Sequence, residues 1–362
     1  MTELSDLPLR DDLKGRKPYG APQLQVSVAL NVNENTHRIP EPAALDIVGR
    51  LAAAVLEVNR YPDREFVELR TALAKYLGHN ISKEQVWAAN GSNEVLQHIF
   101  QAFGGPGRSS LSFTPTYSMY SLIAEGTGTK YLGIPRGDRY ELTEDLVSGA
   151  ILQHRPDIVL LCSPNNPTGT PLDLGVIEAA YEAVASYGGI LVVDEAYAEF
   201  AHETSETALL LLSDRPNLLV SRTMSKAFAF AGARVGYLAA DPAVIDALRL
   251  VRLPYHLSAF TQAAALGALA HATELLANVD DIRFQRDRIV LELQDMGLDP
   301  FRTDSNFVLF GGLEDSHRVW QELLDQDVLI RDMGIPGTLR VTAGTASETT
   351  SFLNALRAIL GG

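Results

Sequence analysis

A lysine, an aspartate, a tyrosine and a pair of asparagines stand in this sequence just beyond short apolar runs, where side chains are free to work on a ligand. Lys226 lies in RTMSKAFAFAGARVG, Arg222 to Gly236, with Thr223 and Ser225 before it and Arg234 after it. Asp194 and Tyr197 open DEAYAEF, and Asn165 and Asn166 sit in SPNNPTG, Ser163 to Gly169. Gly91, Ser92 and Asn93 begin the helical text GSNEVLQHIFQAF. A lysine amine condenses with an aldehyde, a carboxylate keeps a ring nitrogen protonated, and an amide and a phenol hydrogen-bond a ring oxygen. Hydroxyls, an arginine fork and the N–H groups of a helix start hold a phosphate. Singly, each residue also has an ordinary structural use: Asp194 in an ion pair, Lys226 as a solvated charge, Ser92 as a helix cap.

The elements that must position these residues favour the joint reading. DIVLLCS, Asp157 to Ser163, reads as a buried strand that delivers Asn165 and Asn166 just past its carboxyl end. ILVVD, Ile190 to Asp194, reads as the next strand after the stop at Gly188–Gly189, and NLLVS, Asn217 to Ser221, as a third that runs into Lys226. QVWAAN, Gln85 to Asn90, supplies a fourth, ahead of the helix at Ser92. In open α/β sheets ligands bind beyond the carboxyl ends of the strands, so all four arrive at one rim.

From about residue 46 to 250, β-branched runs alternate with helical patterns, which predicts a mostly parallel central sheet flanked by helices. After Pro254, Thr261 to Gly297 reads as long helical text with little to stop it. Ser305–Phe310, Val328–Arg331 and Leu339–Thr342 read as short strands, and Glu348 to Leu360 as a closing amphipathic helix. The fold class is α/β, with three parts: an N-terminal arm over 1–45 that joins the small domain, a large cofactor-binding domain over 46–250, and a small α+β domain over 251–362.

The shared need is an electron sink: pyridoxal 5′-phosphate held as a Schiff base on Lys226, with its ring nitrogen on Asp194. Asn166 and Tyr197 would bond the ring oxygen, and Ser92, Asn93, Thr223, Ser225 and Arg234 the phosphate. Gly232 and Gly236 would let the backbone turn closely around it.

Composition narrows the alternatives. Apolar residues make up 46% and charged residues 21% of 362, a folded globular profile with room for about two domains. Thirty Lys and Arg against 45 Asp and Glu give a net charge of -15, and no basic run tracks a nucleic-acid backbone. An anionic small molecule must therefore be met by a few local cations. Cys162 is the single cysteine, in an apolar run that suits a core residue, and no CxxC or HExxH pattern offers metal ligands. No segment reads as a signal peptide or a membrane span, and a cytoplasmic enzyme is expected.

The strings SPNNPTG, DEAYAEF and SRTMSKAFAFAGARVG, in this order and spacing, resemble the fold-type I aminotransferases along nearly the whole chain. The resemblance implies a homodimer with its active site at the subunit interface, Tyr117 of TPTYSMY stacked on the cofactor ring, and Tyr61 of RYPD reaching the neighbouring subunit's cofactor phosphate. Within this family, KPYGAPQ, WAANGSNE, LVRLPYHLSAFTQAAA and VLIRDMGIPGTLRVTAGT are most similar to the actinobacterial members that exchange amino groups between histidinol phosphate and 2-oxoglutarate in histidine synthesis. That likeness implies Arg331 and Arg340 as the clamp on the substrate phosphate, Arg340 also gripping the α-carboxylate of glutamate, with Tyr19 and Asn33 on the substrate side. An aromatic amino-acid aminotransferase would use the same flat pocket and the same Arg340, and a decarboxylase related to those acting on phosphothreonine would share the scaffold. A DNA-binding regulator would need a further module, and only about 45 residues precede the large domain. One departure stands out: LNVNENTHRIP carries Thr36 and His37 where relatives usually have a proline and often an aromatic residue, and His37 is expected as an exposed loop histidine.

Overall fold

The computed structural model describes residues 4–16, 18, 20 and 22–361. Its centre is a seven-stranded sheet in the spatial order Val86–Ala89, Gly236–Ala239, Leu218–Thr223, Ile190–Asp194, Ile158–Cys162, Ser109–Thr114, Lys130–Pro135. The last five strands run parallel to one another. Ile158–Cys162 and Ile190–Asp194 are buried at every position, as strands covered on both faces must be, which is why they read as continuous apolar runs.

One strand departs from the sequence-based picture. Gly236–Ala239 is antiparallel to both its neighbours, Val86–Ala89 and Leu218–Thr223. Its four residues, GYLA, are too few to show a period. Because it inverts the direction between two strands, those two run the same way, and Val86–Ala89 ends on the same rim as the others. The register Ala89↔Gly236↔Thr223 places three chain segments side by side at that rim.

The helical text after Pro254 is broken into Ala259–Ala270, Ala272–Leu276 and Asn278–Asp295. The chain leaves helical geometry at His271 (φ -112°, ψ 26°), whose ring meets Glu274 Oε2 at 2.6 Å. The first piece packs against the helix Glu41–Leu56, and the last lies on a three-stranded antiparallel sheet ordered Leu339–Thr342, Phe307–Gly311, Asp299–Pro300. Two apolar clusters result; Tyr197, Phe200 and Ala227 reach into the second from the large sheet, and beyond Phe228 the chain passes from the first to the second between Leu275 and Val279. We propose that the smaller domain begins there rather than at residue 251. The N-terminal segment sits with that second cluster through Leu30, and Val28–Ala29 pairs in parallel with Val328–Leu329.

Among the described residues, no helix is long and apolar enough to cross a membrane.

Candidate active site

The sheet's carboxyl rim faces the smaller domain across a cavity of about 280 Å³. Lys226, Asp194, Asn166 and Tyr197 line it, together with Ser92, Asn93, Tyr117, Thr223, Ser225 and Arg234; Asn33, Arg331 and Arg340 enter from the other side. Tyr61 does not: it is 80% exposed and its ring stacks on Tyr255, 4.4 Å between centroids. Tyr19 lies outside the described residues. Four cations, Lys226, Arg234, Arg331 and Arg340, line the cavity, and Asp194 is its one acidic side chain among the described residues. A chain of net charge -15 thus concentrates positive charge at this point.

Asp194 ends its strand 2% exposed. Oδ2 accepts the Tyr120 hydroxyl at 2.9 Å, while Oδ1 is enclosed without a hydrogen bond. Burial pushes its pKa up to about 6, against the lowering effect of the Tyr120 bond. A buried carboxylate oxygen without a donor on a cavity wall is a place for a ligand N–H.

Lys226 Nζ donates to the Val32 carbonyl at 3.0 Å. Enclosure, then the charges of Arg340 and Arg234, lower its pKa to about 8, with Glu34 opposing. The Tyr197 hydroxyl oxygen accepts Nδ2 of Asn33 at 3.0 Å and Nδ2 of Asn166 at 3.4 Å, which leaves its own proton to donate. Asn166 is held in turn by Arg340, whose Nη1 reaches Asn166 Oδ1 at 2.6 Å and whose Nη2 reaches the Asn31 carbonyl at 2.9 Å. Asn33 takes a left-handed backbone (φ 58°), and its Oδ1 accepts the Thr342 hydroxyl. Its amide is therefore engaged at both ends.

The candidate phosphate seat is built by close approach. A Cβ on Gly91 would come within 2.3 Å of Arg234 Nη2, and one on Gly236 within 2.1 Å of the Ser92 main-chain nitrogen. Glycine at these two positions lets the guanidinium and the helix start at Ser92 meet. Gly232 has open space where a Cβ would go, so close approach does not require it. The Thr223 hydroxyl bonds the Ser225 hydroxyl at 3.0 Å, and Arg234 Nη1 reaches the Ser225 hydroxyl at 3.3 Å. The donor set of hydroxyls, helix N–H groups and one arginine fits a phosphate ester, and the open Asp194 oxygen fits a protonated ring nitrogen. These residues suit pyridoxal 5′-phosphate.

Some lining residues carried no signal in the sequence. Val32 contributes only a carbonyl, which no side-chain pattern reveals. Cys162, read as core, is 2% exposed yet borders the cavity; burial pushes its thiol up to about 12, so it stays protonated. Thr116, Ser118 and Met333 also line the cavity, and the first two could have been found as flanks of Tyr117. His37 is half-buried rather than exposed, with Nε2 enclosed and without a partner, because Asn35 donates to the Ala227 carbonyl and draws the loop inward.

Residues 26–356 match the family described as aminotransferase class I and II. The chain is 61% identical to a histidinol-phosphate aminotransferase of Paenarthrobacter aurescens, over 100% of this chain and 97% of that protein. It is 56% identical to one of Frankia casuarinae, over 98% and 91%. The crystal structure of the histidinol-phosphate aminotransferase of Sinorhizobium meliloti in complex with pyridoxal-5′-phosphate superposes with a TM-score of 0.84 at 27% identity, over 93% of this chain and 92% of that one. Fold and site together define a pyridoxal-phosphate-dependent aminotransferase of fold type I. Within the class I and II aminotransferases, the chain belongs to the histidinol-phosphate aminotransferase family.

Proposed function

We propose that this enzyme transfers an amino group reversibly between L-histidinol phosphate and 2-oxoglutarate, giving imidazole acetol phosphate and L-glutamate, a step of histidine synthesis. The observation that carries the reading is the pairing of Arg331 with Arg340 on the cavity wall. Their backbones exchange two hydrogen bonds of 2.9 Å, so both guanidinium groups start from one place. Arg340 alone suits a carboxylate; a second arginine beside it suits the greater charge of a phosphate monoester. The Arg331 guanidinium has no hydrogen bond or ion pair with any described residue, which leaves its fork available on the cavity wall.

Pyridoxal 5′-phosphate, when bound, supplies the aldehyde that takes up the amine and a ring that draws electrons from the substrate's Cα–H bond. Lys226 anchors that aldehyde and then moves the proton at Cα. Asp194 holds a proton at the ring nitrogen, and Tyr197, positioned by Asn166 and Asn33, donates to the ring oxygen. Tyr117 covers the ring. Ser92, Asn93, Thr223, Ser225 and Arg234 hold the cofactor phosphate.

A homodimer completes this picture. Tyr61 stacks with Tyr255, and the segments next to them in the chain expose Val55, Leu56, Val58, Leu250 and Leu253, apolar side chains of the kind that a partner covers. Tyr61 would then donate to the cofactor phosphate of the neighbouring subunit. Sedimentation at the mass of two chains is expected; a monomer with full activity would remove Tyr61 from the site. A cytoplasmic location fits a step of amino-acid synthesis.

The substrate is tested by mixing the cofactor-loaded enzyme with histidinol phosphate and, separately, with phenylalanine, and following the bound cofactor's absorbance in a single turnover. Rapid conversion with histidinol phosphate and little with phenylalanine is expected. Equal conversion would make the enzyme an aromatic amino-acid aminotransferase and Arg331 a bystander.

A further inference from the structure

Asp194 has two carboxylate oxygens, and the structure commits only one of them. The committed oxygen, Oδ2, takes its proton donor from Tyr120, a residue that is fully buried and does not line the cavity. Tyr120 is the second residue of the helix Met119–Gly126, three positions after Tyr117, and its main-chain N–H closes a turn onto the Tyr117 carbonyl at 3.2 Å. The two rings meet edge to face, 5.6 Å apart at 88°. Tyr117 is tied at its far end to Asn93 Oδ1 at 3.0 Å, so the turn that leads into this helix sends one phenol to the cavity wall and the helix start sends the other to the carboxylate.

We propose that Tyr120 is a positioning residue for the ring nitrogen of the cofactor: its hydroxyl holds Asp194 as a carboxylate and turns Oδ1 towards the cavity. The inference rests on the reading of Asp194 given above. An ionised carboxylate is an acceptor only, so the phenol must donate. Burial, and then the neighbouring Asp194, push the Tyr120 hydroxyl well above its ordinary range, and it keeps that proton.

The other groups around Asp194 do not replace this donor. Cys162 on the adjacent strand stays a thiol, Glu195 next in the chain pushes the Asp194 pKa up, and Tyr197 presents a protonated phenol. The Ala196 main-chain N–H, and after it the Ser221 hydroxyl on the other adjacent strand, also favour the carboxylate form, each less than the Tyr120 hydroxyl does. The cations Lys226, Arg234 and Arg340 line the same cavity. With Tyr120 removed, burial dominates, the carboxyl takes the proton itself, and the nitrogen loses it.

The test is Tyr120→Phe, which keeps the ring and removes the donor, read beside Asp194→Asn. In cofactor-free protein carrying isotope-labelled aspartate, the Asp194 carboxyl of the parent is expected to titrate at about 6. In Tyr120→Phe the midpoint is expected to rise by about one pH unit or more, tenfold or more in proton affinity, the scale of a hydrogen bond to a charged group. With ring-labelled cofactor bound, the nitrogen resonance is expected to move towards its unprotonated position. An unchanged midpoint and resonance in Tyr120→Phe, with the nitrogen proton lost in Asp194→Asn, overturns the role of Tyr120. A nitrogen still protonated in Asp194→Asn overturns the reading of Asp194 itself. Should Tyr120→Phe fail to fold, difluorotyrosine at the same position keeps the shape and strengthens the donor: a lowered midpoint supports the inference and an unmoved one overturns it.

Discussion

Replacing Lys226 with alanine is expected to remove amino transfer, lowering kcat/KM by at least about 10⁴-fold, the upper range for loss of one positioned proton-transfer group. Two proposed functions would end together: the amine that anchors the cofactor's aldehyde and the base that works at the substrate's Cα. Lys226→Arg is expected to fail as fully, because a guanidinium does not give up its proton. The surroundings explain why lysine serves here near neutrality. Enclosure, then Arg340 and Arg234, bring the amine to about 8. At pH 7 about one amine in ten is then neutral, against fewer than about one in a thousand for a free lysine side chain. The sign follows: a lowered pKa means that the neutral, nucleophilic form is lost as pH falls through about 8. Cofactor uptake by the cofactor-free protein should therefore quicken with rising pH and level off above that value. Stopped-flow absorbance checks it; a Lys226→Ala variant that turns over at the parent rate would falsify the assignment.

Much of this site could be read before any coordinates. Asp194 ends, and Asn166 and Lys226 follow, a strand that is buried at nearly every position, and a buried parallel strand writes its own apolar run into the sequence. The rim therefore followed from the order of the strands. What did not follow depends on contacts between distant residues or on the main chain. Gly236 is needed because its strand lies against the start of the helix at Ser92, a closeness that no local pattern expresses. The breaks at His271 and Ala277 interrupt text that stays helix-forming throughout, since they serve the passage between two cores rather than a local preference. Tyr120 escaped notice for the same reason. In sequence it is the middle one of the three tyrosines Tyr117, Tyr120 and Tyr131, and only the fold shows which carboxylate its hydroxyl meets.

Arg331 and Arg340 should separate the two halves of the reaction. Of glutamate's two carboxylates, the α-carboxylate is the one that Arg340 would grip; histidinol phosphate brings in its place a phosphate that would engage both arginines. Arg331→Ala is therefore expected to raise KM for histidinol phosphate by about 10-fold to 100-fold, the value of hydrogen bonds to a charged group, while conversion by glutamate stays close to that of the parent. Arg340→Ala is expected to damage both halves, by about 10² to 10³-fold in kcat/KM, the cost of truncating one member of a buried charge pair. Its effect should exceed that of Arg331 for a second reason visible in the structure. Arg340 is 5% exposed and its Nη1 fixes Asn166 Oδ1, so its loss also frees the amide that helps to orient the Tyr197 hydroxyl. The deficit in Arg340→Ala should accordingly appear in kcat as well as KM, whereas that in Arg331→Ala should appear in KM alone. Single-turnover measurements of each half-reaction make the comparison directly. Equal losses with both substrates in Arg331→Ala would show that the second arginine serves the fold of the cavity rather than the phosphate.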